Sequence, residues 1–67
     1  MNKELFKSIM VLNGDTLKTL SKVLNISEQS LSCKINEKGT EFKQGEIVKI
    51  KNHYKLTPEQ VESIFFA

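Results

Sequence analysis

Four side chains in the stretch NISEQSLSCKINEKG, residues 25–39, have the types and spacing to recognise a polar partner: Glu28, Gln29, Ser32 and Cys33. They fall as two adjacent pairs four residues apart, so a helix stacks one pair above the other. Their chemistry is hydrogen-bond readout, not bond breaking. Glu28 accepts hydrogen bonds, and the Gln29 amide both donates and accepts. Leu31 and Ile35, interleaved with them, form an apolar stripe at helical spacing. Covalent chemistry finds little support. The chain has one cysteine and one histidine, Cys33 and His53. That excludes an internal disulfide and any cysteine-cluster zinc site, and leaves no metal-ligand set in view. No nucleophile–base pair, paired carboxylates or phosphate-cradling glycine loop appears, so the expectation is a non-enzyme without cofactor or metal.

The elements that must position these residues are helical. Apolar residues recur at helical spacing along all 67 positions, and no alternating run has strand length. The pattern predicts one all-α domain over 1–67, a compact bundle of about five helices. The first runs from about Lys3 to Leu12, with Leu5, Phe6, Ile9 and Met10 inward, and stops at Asn13-Gly14. The second starts after Asp15 or Thr16, either of which can cap it, and buries Leu17, Leu20 and Leu24. The third, about 27–36, is capped by Ser27. A loop over 37–43 follows, with Gly39 supplying backbone freedom and Phe42 anchoring it in the core. The fourth covers roughly Gln44 to Tyr54. Thr57-Pro58-Glu59-Gln60 opens the fifth with a cap, a proline at the first helical position and a capping-box glutamine.

The second and third helices are joined by only Asn25-Ile26-Ser27. So short a link forces a sharp angle, which is the helix-turn-helix arrangement. Asn25 tolerates the left-handed backbone that the turn demands. The third helix then turns Glu28, Gln29, Ser32 and Cys33 away from the core, the positions from which a recognition helix meets base edges in the major groove. Charge agrees only mildly. The net charge is +2, and all ten basic residues are lysine. Lysine holds phosphate as a point charge but lacks the planar fork that arginine offers guanine.

With LSKVLNISEQSLSCKIN at 20–36, EF at 41–42, EIVKI at 46–50 and LTPEQVESIFF at 56–66, the chain resembles the lambda-repressor/Cro-like (XRE-type) helix-turn-helix family. The nearest likeness is to small phage and prophage regulators of low-GC bacteria, over nearly the whole chain. The resemblance implies a lambda-repressor-like fold and a transcriptional regulator that binds operator DNA as a homodimer. By position, Gln29 would read bases, its amide pairing with adenine. Glu28, Ser32 and Cys33 would share the base-facing surface. Thr16, Lys18, Lys34, Lys38 and Lys43 would contact phosphate. Three departures stand out. Glu28 occupies a position that is usually neutral or basic, Lys34 one that is often apolar, and the loop at Glu37-Lys38-Gly39 looks one residue longer.

The alternative is an antirepressor on the same scaffold, docking its acidic recognition face on a partner repressor's basic DNA-reading surface. Glu28 also has a plain structural use, since an acid in a first helical turn complements the helix dipole. Cys33 reads as an incidental small residue, His53 as an ordinary helix-end histidine, and Tyr54 as a core-edge ring with its hydroxyl in water. Ile64, Phe65 and Phe66 are candidates for a dimer or partner contact. Adjacent aromatics on a short terminal helix cannot both face one core, so one is left for a second molecule or folds back over its own domain. No stretch approaches the roughly 20 apolar residues of a membrane span. No secretory leader pattern is visible, so the expected compartment is the cytoplasm.

Overall fold

Each helix of the chain starts where a side chain can satisfy its exposed backbone N–H groups. In the computed structural model, which describes residues 1–66, five helices follow: α1 (Lys3–Leu12), α2 (Leu17–Leu24), α3 (Glu28–Ile35), α4 (Gln44–Tyr54) and α5 (Pro58–Phe65). No strand occurs among the described residues. Asn2 caps α1 by accepting from Leu5 N at 3.1 Å. Thr16 and Thr19 cap α2 reciprocally: Thr16 Oγ1 accepts from Thr19 N at 3.3 Å, and Thr19 Oγ1 accepts from Thr16 N at 2.9 Å. Ser27 accepts from Ser30 N at 3.0 Å to open α3. Lys43 has no capping oxygen, so the Glu46 carboxylate reaches back to its N–H at 2.8 Å and opens α4. Thr57 and Gln60 close the expected capping box on α5 at 3.2 and 2.8 Å.

The first four helices stop in one way. The first or second residue past each turns left-handed, and the N–H that follows it bonds back to a carbonyl five residues earlier. The left-handed residues are Gly14, Asn25, Glu37 and Lys55. The returning bonds run from Asp15 to Met10, Ile26 to Ser21, Lys38 to Cys33 and Leu56 to Lys51. After α2 this motif sets the sharp corner: Asn25, at φ 57° and ψ 44°, ends the helix, and α3 begins three residues later.

The helices close around Phe6, Met10, Leu20, Leu24, Leu31, Ile35, Ile50, Leu56 and Ile64. α3 and α4 each pack on α2, and α1 packs on α5. Phe42 anchors its loop as the spacing predicts. With Phe6 and Phe65 it forms a cluster of three rings, centroids 5.5–5.9 Å apart. Offset and edge-on ring pairs of this kind add to simple area burial. Leu17 departs from the expected inward stripe. It lies in the first turn of α2, at the rim of the core, and stays 36% exposed. Val11 and Leu12 are exposed beyond the inward face of α1. Among the described residues, no helix is long and apolar enough to cross a membrane.

Candidate nucleic-acid interface

α3 sits on the core through Leu31 and Ile35, both buried, which turns its opposite face outward. Glu28 and Gln29 stand exposed in its first turn, and Ser32 and Cys33 lie half-buried one turn on. The four expected readers therefore do share the outer side, but they divide into two edges. Gln29 and Cys33 line a shallow groove together with Ser30, Lys38, Thr40 and Lys43. Ser32 borders a different groove, against Lys7, Val11 and Leu17 at the junction of α1 and α2. Its hydroxyl also accepts from Asn36 Nδ2 at 3.4 Å. The Gln29 side chain is exposed, so its amide can pair with a ligand. Glu28 sits at the first helical position, where its charge complements the helix dipole.

The phosphate-facing set needs a correction. Lys34 is expected to contact phosphate; it borders the Gln29 groove, yet it is only 7% exposed. Its ammonium donates to Glu46 Oε1 at 3.0 Å and to the Glu41 carbonyl at 3.2 Å. The reason lies in its position. Leu31, Lys34 and Ile35 share the buried side of α3, so the lysine stem runs through the interior and its head must find partners there. Burial pushes the Glu46 carboxyl up. The Lys43 N–H, the Lys34 hydrogen bond and the two lysine charges outweigh it and hold it below its ordinary value. Lys18, Lys38 and Lys43 remain exposed, and Lys38 and Lys43 lie along the Gln29 edge of α3.

Thr16 is exposed at the start of α2, but Asp15 stands beside it. The Asp15 carboxylate gathers three donors: Tyr54 Oη at 2.7 Å, Thr19 Oγ1 at 2.8 Å and His53 Nε2 at 2.9 Å. Burial raises its pKa, and these hydrogen bonds bring it below the ordinary value. Tyr54 is shifted upward, first by burial and then by its bond to the Asp15 carboxylate. The Tyr54 hydroxyl, expected in water, is instead held by Asp15. His53 is the exposed helix-end residue expected, and it also bonds Asp15. A phosphate at α2's N-terminus would thus meet Thr16 and Lys18 with an ionised carboxylate close by, already occupied by donors.

The terminal residues also need correcting. Ile64 is fully buried and belongs to the core, so it offers no surface to a partner. Phe65 packs against Phe6 and Phe42. Phe66 is left 69% exposed. The inward and outward split falls as adjacent positions on a helix end demand.

Three residues beside α3 escaped the sequence reading: Ser30, Thr40 and Lys7. Ser30 is visible on a helical projection next to Gln29. Thr40 and Lys7 reach the two grooves through tertiary packing, which leaves no local signal. Among the described residues, no three His, Cys, Asp or Glu side chains come together as a metal site. In comparisons with known proteins, no family model, no curated protein and no solved structure matches this chain.

Proposed function

We propose that this chain is a small DNA-binding transcriptional regulator of the Cro-like type, with α2 and α3 acting as a helix-turn-helix. The carrying observation is the pairing of a three-residue corner opened by left-handed Asn25 with a third helix whose exposed Gln29 edge is bordered by Lys38 and Lys43. In this reading α3 enters the major groove, Gln29 pairs with a base, and the two lysines hold the flanking backbone. Lys34 takes no part in that contact. A homodimer would present two such helices to half-sites about 34 Å apart. Binding of the purified protein to fragments of its own genome across a salt series tests this. Specific binding should weaken steeply as salt rises, because neutralised phosphates release counterions. Absence of any preferred fragment at low salt refutes it.

A second reading keeps the scaffold and changes the partner. Glu28 is exposed at the leading end of α3, and Lys34, the one lysine of that helix, is buried against Glu46. A polar, acid-tipped helix suits the basic DNA-reading face of another repressor. Glu28→Lys separates the two readings. It should strengthen DNA binding if α3 meets DNA, and weaken co-purification with a neighbouring repressor if α3 meets protein.

A further inference from the structure

We propose that the buried Lys34–Glu46 pair is a positioning device for readout, fixing the base-facing edge of α3 relative to the cation-bearing loop 38–43. The proposal rests on the DNA-reading role of α3 and specifies how its geometry is held. α3 and α4 each pack on α2 more than on each other, so apolar packing relates them through α2 and the shared core rather than by direct contact. The Lys34 ammonium bridges them. It reaches Glu46 on α4 and the Glu41 carbonyl within the loop. The oxygen that receives Lys34, Glu46 Oε1, also accepts the backbone N–H of Lys43. One ammonium and one carboxylate oxygen therefore join α3, the loop and the start of α4.

The chemistry of the pair favours this role over a purely stabilising one. A buried ion pair contributes little net stability, and apolar replacements of similar volume are often neutral or better. An apolar side chain would fill the same space without selecting one carbonyl and one carboxylate at fixed distances. The charge-assisted bonds supply direction, which packing lacks. The groups they hold are those that border Gln29: Lys38 and Lys43 flank the α3 edge along the loop. Lys34 and Glu46 have side chains only 9% and 13% exposed, so neither is presented to a phosphate. They act through the residues they hold.

The test compares the parent with Lys34→Met and with the double variant Lys34→Met/Glu46→Gln. The double variant leaves no unpaired buried charge, and its amide oxygen still accepts from the Lys43 N–H, so it preserves a folded sample if the single variant melts. Three quantities are measured: affinity for the preferred genomic fragment, affinity for a random duplex of equal length, and amide hydrogen exchange along the chain. The specific-to-random ratio should fall about tenfold, the scale of one lost base contact. The salt slope should not change, because no phosphate contact is removed. Exchange should rise at the Lys38 and Lys43 amides, the loop N–H groups that donate to the Cys33 carbonyl and the Glu46 side chain in the parent, and stay level in α1 and α5. A ratio within about twofold of the parent in the folded double variant overturns the proposal. So does a salt slope reduced by about one unit, which would place Lys34 on a phosphate. If the parent prefers no fragment, the DNA-reading role itself fails. Exchange then decides the hold separately, and unchanged protection at the Lys38 and Lys43 amides overturns it.

Discussion

Asp15 shows how much one carboxylate can organise in a domain of this size. It receives Tyr54, Thr19 and His53, and so ties the approach to α2 to the end of α4. Removing the Tyr54 hydroxyl with Tyr54→Phe should lower unfolding stability by about 1 kcal/mol in urea titrations. The pH dependence follows from the direction of the shifts. Asp15 and Glu46 are both held below their ordinary values. Each contributes stability that is fully present above its unfolded pKa and lost as pH falls through its lower folded pKa. Stability should therefore decline as pH falls below about 4. Asp15→Asn should show a shallower loss over that acid range, measured as the shift of the urea midpoint with pH. At the α3 surface, Gln29→Ala should weaken specific binding by about 1–3 kcal/mol and leave random DNA binding nearly unchanged. That Gln29, Lys38 and Lys43 stand exposed was readable from helical spacing and charge. The burial of Lys34 was not. A lysine one position before Ile35 looks like solvent-facing charge until Glu46 and the Glu41 carbonyl are brought to it by the loop.

The helices themselves were legible because their starts carry explicit chemistry. Ser27 and Thr57 cap where expected, and Thr16 was one of two candidates at α2. Asp15, the other candidate, was drawn to His53 and Tyr54 by packing at 38 and 39 residues' separation. The helix ends were half legible. Gly14 and Asn25 are residue types that enter the left-handed region easily. Glu37 and Lys55 are not, at φ 54° each, and only the returning backbone bonds require that conformation. Lys55 is exposed, so glycine there removes the steric penalty without removing a packed side chain. Lys55→Gly should raise stability by about 0.5–1 kcal/mol, read as a higher thermal midpoint. The same change at Glu37 is less clean, because its carboxylate pairs with the Met1 ammonium at 2.6 Å.

At the scale of the whole molecule, a single small core holds everything else in place. A domain this short has only about 3–5 kcal/mol from such a core. Ile64 lies within it, and Phe66, just past the end of α5, lies at its surface. Ile64→Ala should cost about 2–5 kcal/mol and leave much of the chain unfolded by circular dichroism at 25 °C. Phe66→Ala should stay within about 0.5 kcal/mol of the parent. The all-helical bundle was visible in the apolar spacing, since Phe6, Leu20, Leu24, Leu31, Ile50 and Ile64 recur at helical intervals and all are buried. The grooves beside α3 were not, because Lys7, Thr40 and the 38–43 loop meet it only after folding. The most direct test of the account is equilibrium binding of the purified chain to fragments of its own genome, measured as salt is raised. The account predicts one or a few preferred fragments, with affinity falling steeply with salt and a slope that drops by about one unit in Lys38→Ala and in Lys43→Ala. Equal affinity for all fragments, or a slope untouched by either substitution, would contradict it.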